Sequence, residues 1–393
     1  MLIYSFIHHL RWKKVAEFDH QLKEYGRVVH SWGTSRLGVR IDWMLLLLLL
    51  TLMATGIAIL HSASGQQFVY VKRQLVFMAV GLVAMLIVAQ VPPRFLERWA
   101  FVLYYIGLAL LVGVIFFGVG AKGAQRWLDL GFFRFQPSEL LKIGVPLMLS
   151  AYMGKRLLPP RFKHVMAALL IIITPAVLVG MQPDLGTGLL IFAAGGFVLF
   201  LAGLSLRYLS AALVVALTAT PLFWFYLLRD YQKLRIITLL DPQSDKLGAG
   251  WNIIQATTAI GAGGLTGKGW LSGTQSQLNF LPESHTDFII AVLSEEFGFV
   301  GVMLLLLLYL LIIMRGIFIS LRAQSMFGRL AAGSITLTFF FYIFVNLGMV
   351  SGILPIVGIP LPMVSYGGTA IVSLLLGFGV LMAISTERKR MGQ

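Results

Sequence analysis

Residues 261–298 read GAGGLTGKGWLSGTQSQLNFLPESHTDFIIAVLSEEFG. This stretch begins as a glycine-rich segment, passes through an acidic turn and ends inside an apolar helix that still carries two glutamates. Ionisable side chains are costly next to hydrocarbon, so charged groups gathered where a membrane span begins indicate a functional site. The ionisable residues of the stretch are Lys268, Glu283, His285, Asp287, Glu295 and Glu296.

Around this stretch the composition is that of a polytopic membrane protein. Hydrophobic residues make up 58% of the 393 positions and charged residues only 12%, and several apolar runs reach the roughly 20 residues that cross a bilayer. We predict one all-α bundle of about ten transmembrane helices, with a large loop between the seventh and the eighth. The predicted spans are 41–60, 74–91, 100–117, 140–152, 165–181, 187–204, 208–228, 287–314, 330–354 and 364–385.

The distribution of Lys and Arg predicts the orientation of the bundle. Of the 31 such residues, 20 fall in one set of alternate loops, 10 in the other and one, Lys142, inside the fourth predicted span, and cytoplasmic loops carry the excess. We therefore expect the N-terminal tail (1–40) and the C-terminal tail (386–393) in the cytoplasm. The long loop (229–286) is then expected outside the cytoplasmic (inner) membrane.

The formal charge of +15 has the same explanation, since the basic loops face anionic membrane lipids. No basic patch interleaved with stacking aromatic residues points to nucleic acid. The chain has no cysteine, which excludes disulfides, thiolate catalysis and cysteine-ligated metals. Residues 1–40 lack the features of a cleavable signal peptide, so we expect the first span to act as its own insertion signal.

Several polar residues on the predicted outer face allow two interpretations. The glycines of residues 261–269 either offer N–H groups to an anion, with Lys268 as counter-ion, or let the loop fold back on the bundle. Asp287 follows Ser284 at capping-box spacing, so its carboxylate either caps the span or serves chemistry. Glu295 and Glu296 are expected to be buried hydrogen-bonding groups.

Three shorter outer segments also carry polar side chains or helix breakers. Glu139, in the sequence Gln-Pro-Ser-Glu, fits an acid in the first turn of the fourth span. Asp184, in a tight turn, fits a helix cap. A second role in binding stays open for both. Residues 352–368 contain three prolines and no charge, which predicts a broken helix dipping back toward the bundle.

Long motifs in the chain resemble those of the SEDS family (shape, elongation, division and sporulation), and within it the RodA branch rather than the FtsW branch. The similarity covers about residues 42–385. Its motifs include GAQRWLDLG (123–131), RFQPSE (134–139), QPDLGT (182–187), GKGW (267–270), FLPESHTDF (280–288) and PLPMVSYGG (360–368).

The resemblance implies a peptidoglycan glycosyltransferase that polymerises lipid II into glycan strands during cell elongation, at the outer face of the cytoplasmic membrane. Its implied partners are a class B penicillin-binding protein, which crosslinks the glycan, and MreC, MreD and RodZ. The motifs identify Asp287 as the essential acidic residue. They also place Arg126, Glu139, Lys142 and Lys268 in the site.

The implied reaction needs a base for the attacking sugar hydroxyl and positive charge on the departing lipid diphosphate. We expect Asp287 to be the base, and we consider Mg²⁺ or Mn²⁺ a candidate cofactor, with Glu139 and Asp287 as candidate ligands. The residues expected to bind the substrate or its diphosphate are Arg126, Lys142, Lys268, Glu139, Asp184, Glu283 and His285.

Two functions from other classes stay open. A lipid II flippase or another transporter would place its acidic residues near the bilayer midplane and on both leaflets. A non-catalytic scaffold of the elongation machinery would tolerate replacement of Asp287 and Lys268.

Overall fold

The computed structural model describes residues 40–121, 124–129, 131, 134–245, 248–274 and 283–387. The predicted N-terminal tail lies almost wholly outside the described residues. Residues 275–282 of the stretch quoted above and residues 388–393 of the C-terminal tail lie outside them too.

The described chain is a helical membrane bundle, which confirms the predicted fold class. Its helices are α1 (Trp43–Ala63), α2 (Phe68–Gln90), α3 (Pro93–Phe117), α4 (Pro137–Gly154), α5 (Phe162–Met181), α6 (Leu185–Leu201), α7 (Leu206–Leu222), α8 (Asp230–Leu240), α9 (Ala249–Gly263), α10 (Ile289–Arg322), α11 (Met326–Val350) and α12 (Gly368–Ser385). Within the described residues, α1, α2, α3, α5, α10, α11 and α12 are long and apolar enough to cross a membrane. The other three predicted spans coincide with α4, α6 and α7, and the count of ten stays a prediction.

Two regions contain structure that the sequence did not predict. Between α3 and α4, strand β1 (Val119–Ala121) pairs antiparallel with β2 (Ala124–Asp129), which pairs antiparallel with β3 (Arg134–Phe135). The predicted long loop contains α8 and α9, and α9 enters the main hydrophobic core through Ala256 and Ala259. The long loop is therefore folded against the bundle.

Helix α4 is longer than the predicted fourth span. The predicted run of residues 140–152 is extended at its flanks to 18 residues, with proline at the first helical position. Only Leu140, Tyr152 and Gly154 of this helix are even partly exposed. Because α4 is surrounded by other helices, its charged side chains contact protein rather than lipid.

Helix α10 is 34 residues long and is broken at Gly298, which has φ 65° and ψ −163°. Essentially only glycine adopts this conformation. The glycine-rich segment supplies the hydrogen bonds that the break removes. Phe299 N and Val300 N donate to the carbonyls of Gly264 (3.0 Å) and Leu265 (3.1 Å), while Lys268 N and Gly269 N donate to the carbonyls of Glu295 (3.0 Å) and Glu296 (2.9 Å).

This backbone pairing requires glycine at its closest points. A Cβ on Gly263 would lie 1.8 Å from the carbonyl oxygen of Ser294, and one on Gly267 would lie 2.1 Å from that of Glu296. The amides of Lys268 and Gly269 are already used by α10, so they do not form an anion nest. Of the two interpretations of these glycines, folding back on the bundle is correct.

Residues 351–367 return into the bundle as irregular backbone. The predicted return of this segment toward the bundle is confirmed, whereas its predicted helical conformation is wrong. Irregular backbone is tolerated at membrane depth where other protein groups satisfy it. Three buried side chains do so here: Tyr309 Oη donates to Pro362 O (2.7 Å), Gln74 Nε2 to Ser365 O (3.0 Å) and Asn346 Nδ2 to Ile359 O (2.8 Å).

The bundle is closed by a buried ion pair at the end opposite to Asp287. Asp42 caps α1 and accepts a hydrogen bond from Leu45 N (3.1 Å). Its carboxylate also accepts from Arg315 Nη2 on α10 (2.7 Å) and from Ser385 Oγ on α12 (2.7 Å). One carboxylate that is 1% exposed therefore connects three helices that are distant in sequence.

We expect Gly298→Ala to destabilise the folded protein by about 2 kcal/mol or more, because it combines backbone strain with a steric clash. The added Cβ would lie 2.4 Å from Gly267 N. The measurement is the thermal midpoint of the detergent-solubilised protein, followed by fluorescence-detected size exclusion after heating.

Gly113→Ala on α3 is the matched control, since a Cβ there meets nothing within 4 Å. Alanine favours a helix over glycine, so this variant should be at least as stable as the wild type. A thermal midpoint of Gly298→Ala equal to that of the control would show that the break in α10 does not depend on glycine.

Candidate active site

Asp287 lies in the turn of residues 283–288 that precedes α10. The N-cap of α10 is Phe288, which makes no side-chain capping bond. Ser284 Oγ donates to the carbonyl of Ala63 at the end of α1 (3.0 Å). Helix α10 therefore begins after the turn that carries Ser284 and Asp287, and the capping-box interpretation of these two residues stays a prediction.

The position of Asp287 is set through its backbone and through the segment opposite it. Asn346 of α11 is fully buried, and its Nδ2 donates to the carbonyls of Asp287 (3.0 Å) and Ile359 (2.8 Å). Gly358, with φ 79°, faces the carboxylate, since a Cβ there would lie 3.5 Å from Asp287 Oδ2. The carboxylate of this partly exposed residue thus lies against the irregular segment 351–367.

His285 and Glu283 share this turn with Asp287. The His285 ring packs against Tyr70 of α2, with centroids 4.9 Å apart, and against Tyr366, at 6.0 Å. Tyr366 N donates to the carbonyl of His285 (2.9 Å). Glu283 accepts a hydrogen bond from Thr286 Oγ1 (2.9 Å). The turn therefore has an aromatic wall on the side of α2.

Arg126 of β2 meets Asp184, the N-cap of α6. The guanidinium donates from Nη2 to Pro183 O (2.6 Å) and lies 3.6 Å from Asp184 Oδ2. Asp184 Oδ1 accepts from Thr187 N (3.2 Å), which confirms the cap, and the same carboxylate carries the ion pair. The Arg126 side chain is 37% exposed, although its Nε is buried.

Glu139 and Lys142 form a buried ion pair within α4. Lys142 Nζ lies 2.7 Å from Glu139 Oε1, and each side chain is 8% exposed. Ser373 of α12 donates to the other oxygen, Glu139 Oε2 (2.6 Å), and the ammonium lies 5.2 Å from the ring centroid of Tyr342. Both oxygens of Glu139 are therefore occupied by groups of the protein.

Lys268 is paired with Glu295 and not with a residue of the Asp287 turn. Its Nζ lies 2.9 Å from Glu295 Oε1, which also accepts from Thr274 N (2.7 Å). Glu295 is fully buried, and its neighbour Glu296 is hydrogen-bonded by Ser62 of α1. The expectation that both glutamates are buried hydrogen-bonding groups is confirmed.

The predicted site residues therefore fall into two linked groups and one separate pair. Gln136, which precedes α4, donates to Asp184 Oδ2 (3.3 Å) and so places the Arg126 and Glu139 pairs side by side. The segment 351–367 links them to the Asp287 turn, because Val357 packs on Gly186 while Gly358 faces Asp287. Lys268 belongs to the pairing that holds the break in α10.

The donor set does not fit a preformed magnesium or manganese site. Across the described ranges, no group of three or more His, Asp or Glu side chains is placed to hold a metal ion. Glu139, one of the two predicted ligands, has both oxygens in use. A small divalent cation needs a nearly octahedral shell of oxygen ligands, and the side chains described here do not supply one.

Asn346, Ser373 and Tyr366 were not among the predicted site residues. Asn346 carried a usable signal, because an amide inside an apolar span has to find hydrogen-bond partners within the protein. Its actual partners, Asp287 and Ile359, are 59 and 13 residues away in the chain. Spacing rules for a single helix do not reach that far.

Comparison with known proteins gives consistent matches over nearly the whole chain. The family model of FtsW, RodA and SpoVE, described as "Cell cycle protein", matches residues 39–390. Peptidoglycan glycosyltransferase MrdB of Escherichia coli K12 is 54% identical over 90% of this chain and 96% of MrdB. A probable peptidoglycan glycosyltransferase FtsW of Trichlorobacter lovleyi is 36% identical over 88% of this chain and 94% of that protein.

Solved structures share the same fold. A chain from a peptidoglycan synthase complex that coordinates polymerisation and crosslinking superposes with a TM-score of 0.78 at 32% identity, covering 88% of this chain and 97% of that chain. The rod shape determining protein RodA of Thermus thermophilus superposes with a TM-score of 0.67 at 29% identity, covering 88% and 96%.

We expect Lys142→Met to be much less stable than the double variant Glu139→Gln/Lys142→Met. Removing the ammonium alone leaves a buried carboxylate without its counter-charge, which costs about 3–5 kcal/mol, whereas the double variant removes both charges. The measurement is the thermal midpoint of the detergent-solubilised proteins.

Lys155→Met provides the control, because the Lys155 side chain is 64% exposed and lies 3.9 Å from Glu97. Loss of such a surface pair costs under about 1 kcal/mol. Equal stability of Lys142→Met and the double variant would mean that the pair does not depend on mutual neutralisation.

Proposed function

The chain belongs to the FtsW/RodA/SpoVE family and is a peptidoglycan glycosyltransferase, and we propose that it polymerises lipid II with Asp287 as the general base. The observation that carries the proposal is the setting of Asp287. The residue is partly exposed, its backbone is fixed by Asn346, and it lies between the aromatic wall and the segment that leads to Arg126.

The reaction needs little else from the protein. The 4-hydroxyl of one sugar attacks the anomeric carbon of another, the new C–O bond forms as the bond to the lipid diphosphate breaks, and the configuration inverts from α to β. Asp287 takes the hydroxyl proton, and the leaving diphosphate takes the electron pair. One positioned base and nearby positive charge can therefore catalyse the step.

Arg126 is the best placed of the three cations predicted to face the diphosphate. Its side chain is partly exposed although it pairs with Asp184. Lys142 and Lys268 are held by Glu139 and Glu295, so we propose that they contact phosphate only if those pairs rearrange when the substrate binds. Until then they act by neutralising buried carboxylates.

We propose further that the Asp287 end of the bundle faces the outside of the cytoplasmic membrane and that both termini are cytoplasmic. The charge bias of the loops supports this orientation. The proposed partners are a class B penicillin-binding protein, MreC, MreD and RodZ. A structural neighbour from a complex that couples polymerisation to crosslinking supports the first of these.

A divalent cation in the reaction stays a prediction. No step of the proposed mechanism passes through a metal, since the side chains described here do not form a site for one. Glycan synthesis in excess EDTA, compared with synthesis in excess Mg²⁺ or Mn²⁺, tests the prediction directly.

We expect Asp287→Asn to insert and fold normally but to lose at least about 100-fold of its lipid II polymerisation, because the amide cannot accept the proton. The measurement is the glycan made from purified lipid II by protein reconstituted with its transpeptidase partner. Asp241→Asn is the control, because Asp241 is exposed in the long loop and its contact to Gln243 N uses an oxygen that asparagine retains.

Substantial glycan synthesis by Asp287→Asn would remove Asp287 as the base. Movement of labelled lipid II between leaflets without any glycan would favour the flippase alternative instead. Normal growth of cells that carry only Asp287→Asn would favour the scaffold.

A further inference from the structure

A cluster of basic and aromatic side chains lies at the end of the bundle opposite to Asp287 and takes no part in the proposed reaction. It is found where α4 ends and α5 begins. The guanidinium carbon of Arg156 lies 4.0 Å from the ring centroid of Tyr152, so the cation lies over the ring. Arg156 Nη1 lies 3.5 Å from Nε2 of His164, whose Nδ1 lies 3.4 Å from Tyr152 Oη. Arg156 is therefore held by one side chain from each helix.

The charge of Arg156 is not neutralised by any carboxylate of the described chain. Its side chain makes one hydrogen-bond contact there, to His164, and no acidic side chain lies within 4.0 Å. At the same end of the bundle, Arg315 pairs with Asp42 at 2.7 Å. Arginine presents five donors in a planar fork that matches phosphate oxygens. Arg156 thus offers a positioned cation with unused donors to an anion from outside the chain.

Two further cations stand within one helical turn of His164. Arg161 is the N-cap of α5, and Lys163 directly precedes His164. Both are exposed, and neither pairs with a carboxylate in the ranges that the structure describes. Because a turn spans 3.6 residues, the contact between His164 and Arg156 brings three positive charges to one small part of the surface.

Exposed apolar side chains border these cations. Leu157 follows Arg156 in the chain and is 88% exposed, and Phe162 at the start of α5 is 56% exposed. Met166 and Leu170 are exposed too and continue this apolar face one and two turns along α5. A soluble phosphate would use only the cations. A ligand with an anionic head and acyl chains would use both the cations and the apolar face.

We propose that the junction of α4 and α5 binds an anionic phospholipid, with Arg156, Arg161 and Lys163 on its phosphate groups and its acyl chains along the apolar face of α5. The proposal goes beyond the proposed function, since the junction is at the other end of the bundle from the candidate active site. The proposed orientation makes the ligand a lipid of the inner leaflet.

This site differs from the general attraction between basic loops and an acidic membrane. The general attraction depends on the number of charges near the surface and not on their arrangement. At the junction, the ring of Tyr152 and the imidazole of His164 fix the direction of the Arg156 guanidinium. Binding here is therefore sensitive to a neutral side chain that carries no charge to the lipid.

Lipid bound at the junction is expected to stabilise the folded protein. The ligand contacts the connection and the first turn of α5, which come together only when α4 and α5 are packed side by side. A ligand that binds the folded state alone raises the thermal midpoint. Lipid binding and the thermal midpoint are thus two readouts of the same site.

The test titrates cardiolipin onto the delipidated full chain in detergent, with binding followed by native mass spectrometry and by the rise in thermal midpoint. We expect Arg156→Gln to bind at least about 5-fold more weakly than the wild type, because one basic residue near an acidic lipid contributes roughly that factor. Arg156→Gln/Arg161→Gln/Lys163→Gln should lose the rise in thermal midpoint. Phosphatidylcholine with the same acyl chains should not distinguish these variants from the wild type.

Tyr152→Leu removes the ring under Arg156 and leaves every cation in place. Leucine keeps apolar contact with the core that Tyr152 packs against. We expect this variant to bind cardiolipin about 3-fold more weakly, because the cation–π contact that orients the guanidinium is lost. Binding equal to that of the wild type would reduce the site to a number of charges and would overturn the proposal.

Arg40→Gln is the matched control for Arg156→Gln. Arg40 lies at the same end of the bundle, is partly exposed like Arg156, and pairs with no carboxylate among the described residues. Its backbone, and not its side chain, bonds to Gln90 (3.1 Å). Arg40→Gln should therefore bind cardiolipin as the wild type does, and its thermal midpoint without lipid shows the effect of losing one charge.

Equal weakening by Arg40→Gln and Arg156→Gln would overturn the proposal in favour of general attraction to acidic lipid. Displacement of cardiolipin by equimolar inorganic phosphate would overturn it too, since the ligand would then be a soluble anion. The binding assay needs no turnover, so its outcome is separate from that of Asp287→Asn.

Discussion

The backbone of a membrane protein has no water to bond with inside the bilayer, and the break at Gly298 shows how this chain meets that constraint. Four hydrogen bonds join the glycine-rich segment to α10 across the break. The segment and the break flank Asp287 in the chain, so the same bonds close the loop that carries the proposed base. The glycines are needed for this contact and not for binding an anion.

Charge inside the bundle follows a similar rule, since each deeply buried carboxylate of the proposed site is matched by a cation or a hydroxyl. Glu139 is held by Lys142 and Ser373, and Glu295 by Lys268. This neutralisation stabilises the bundle but leaves these cations less able to bind a substrate phosphate.

Much of the architecture and part of the site followed from local patterns. Apolar run length predicted the helices, proline and glutamate marked the start of α4, and Asp184 was recognised as a cap because capping depends on neighbouring residues. The Ser284 and Asp287 spacing did not reveal the bond from Ser284 to the end of α1, because that partner is 221 residues away in the chain. Asn346 went unnoticed since its partners lie on other elements.

The sequence alone determined the membrane class and the approximate helices, and its motifs singled out Asp287 as the candidate base, because hydrophobic length, turn residues and motifs are properties of contiguous residues. The tertiary structure decided which charges neutralise one another and which remain available. Asp42 and Arg315 are 273 positions apart, and Glu139 and Ser373 are 234 apart. Pairs so distant in the chain meet only through packing of whole helices, which no local pattern encodes.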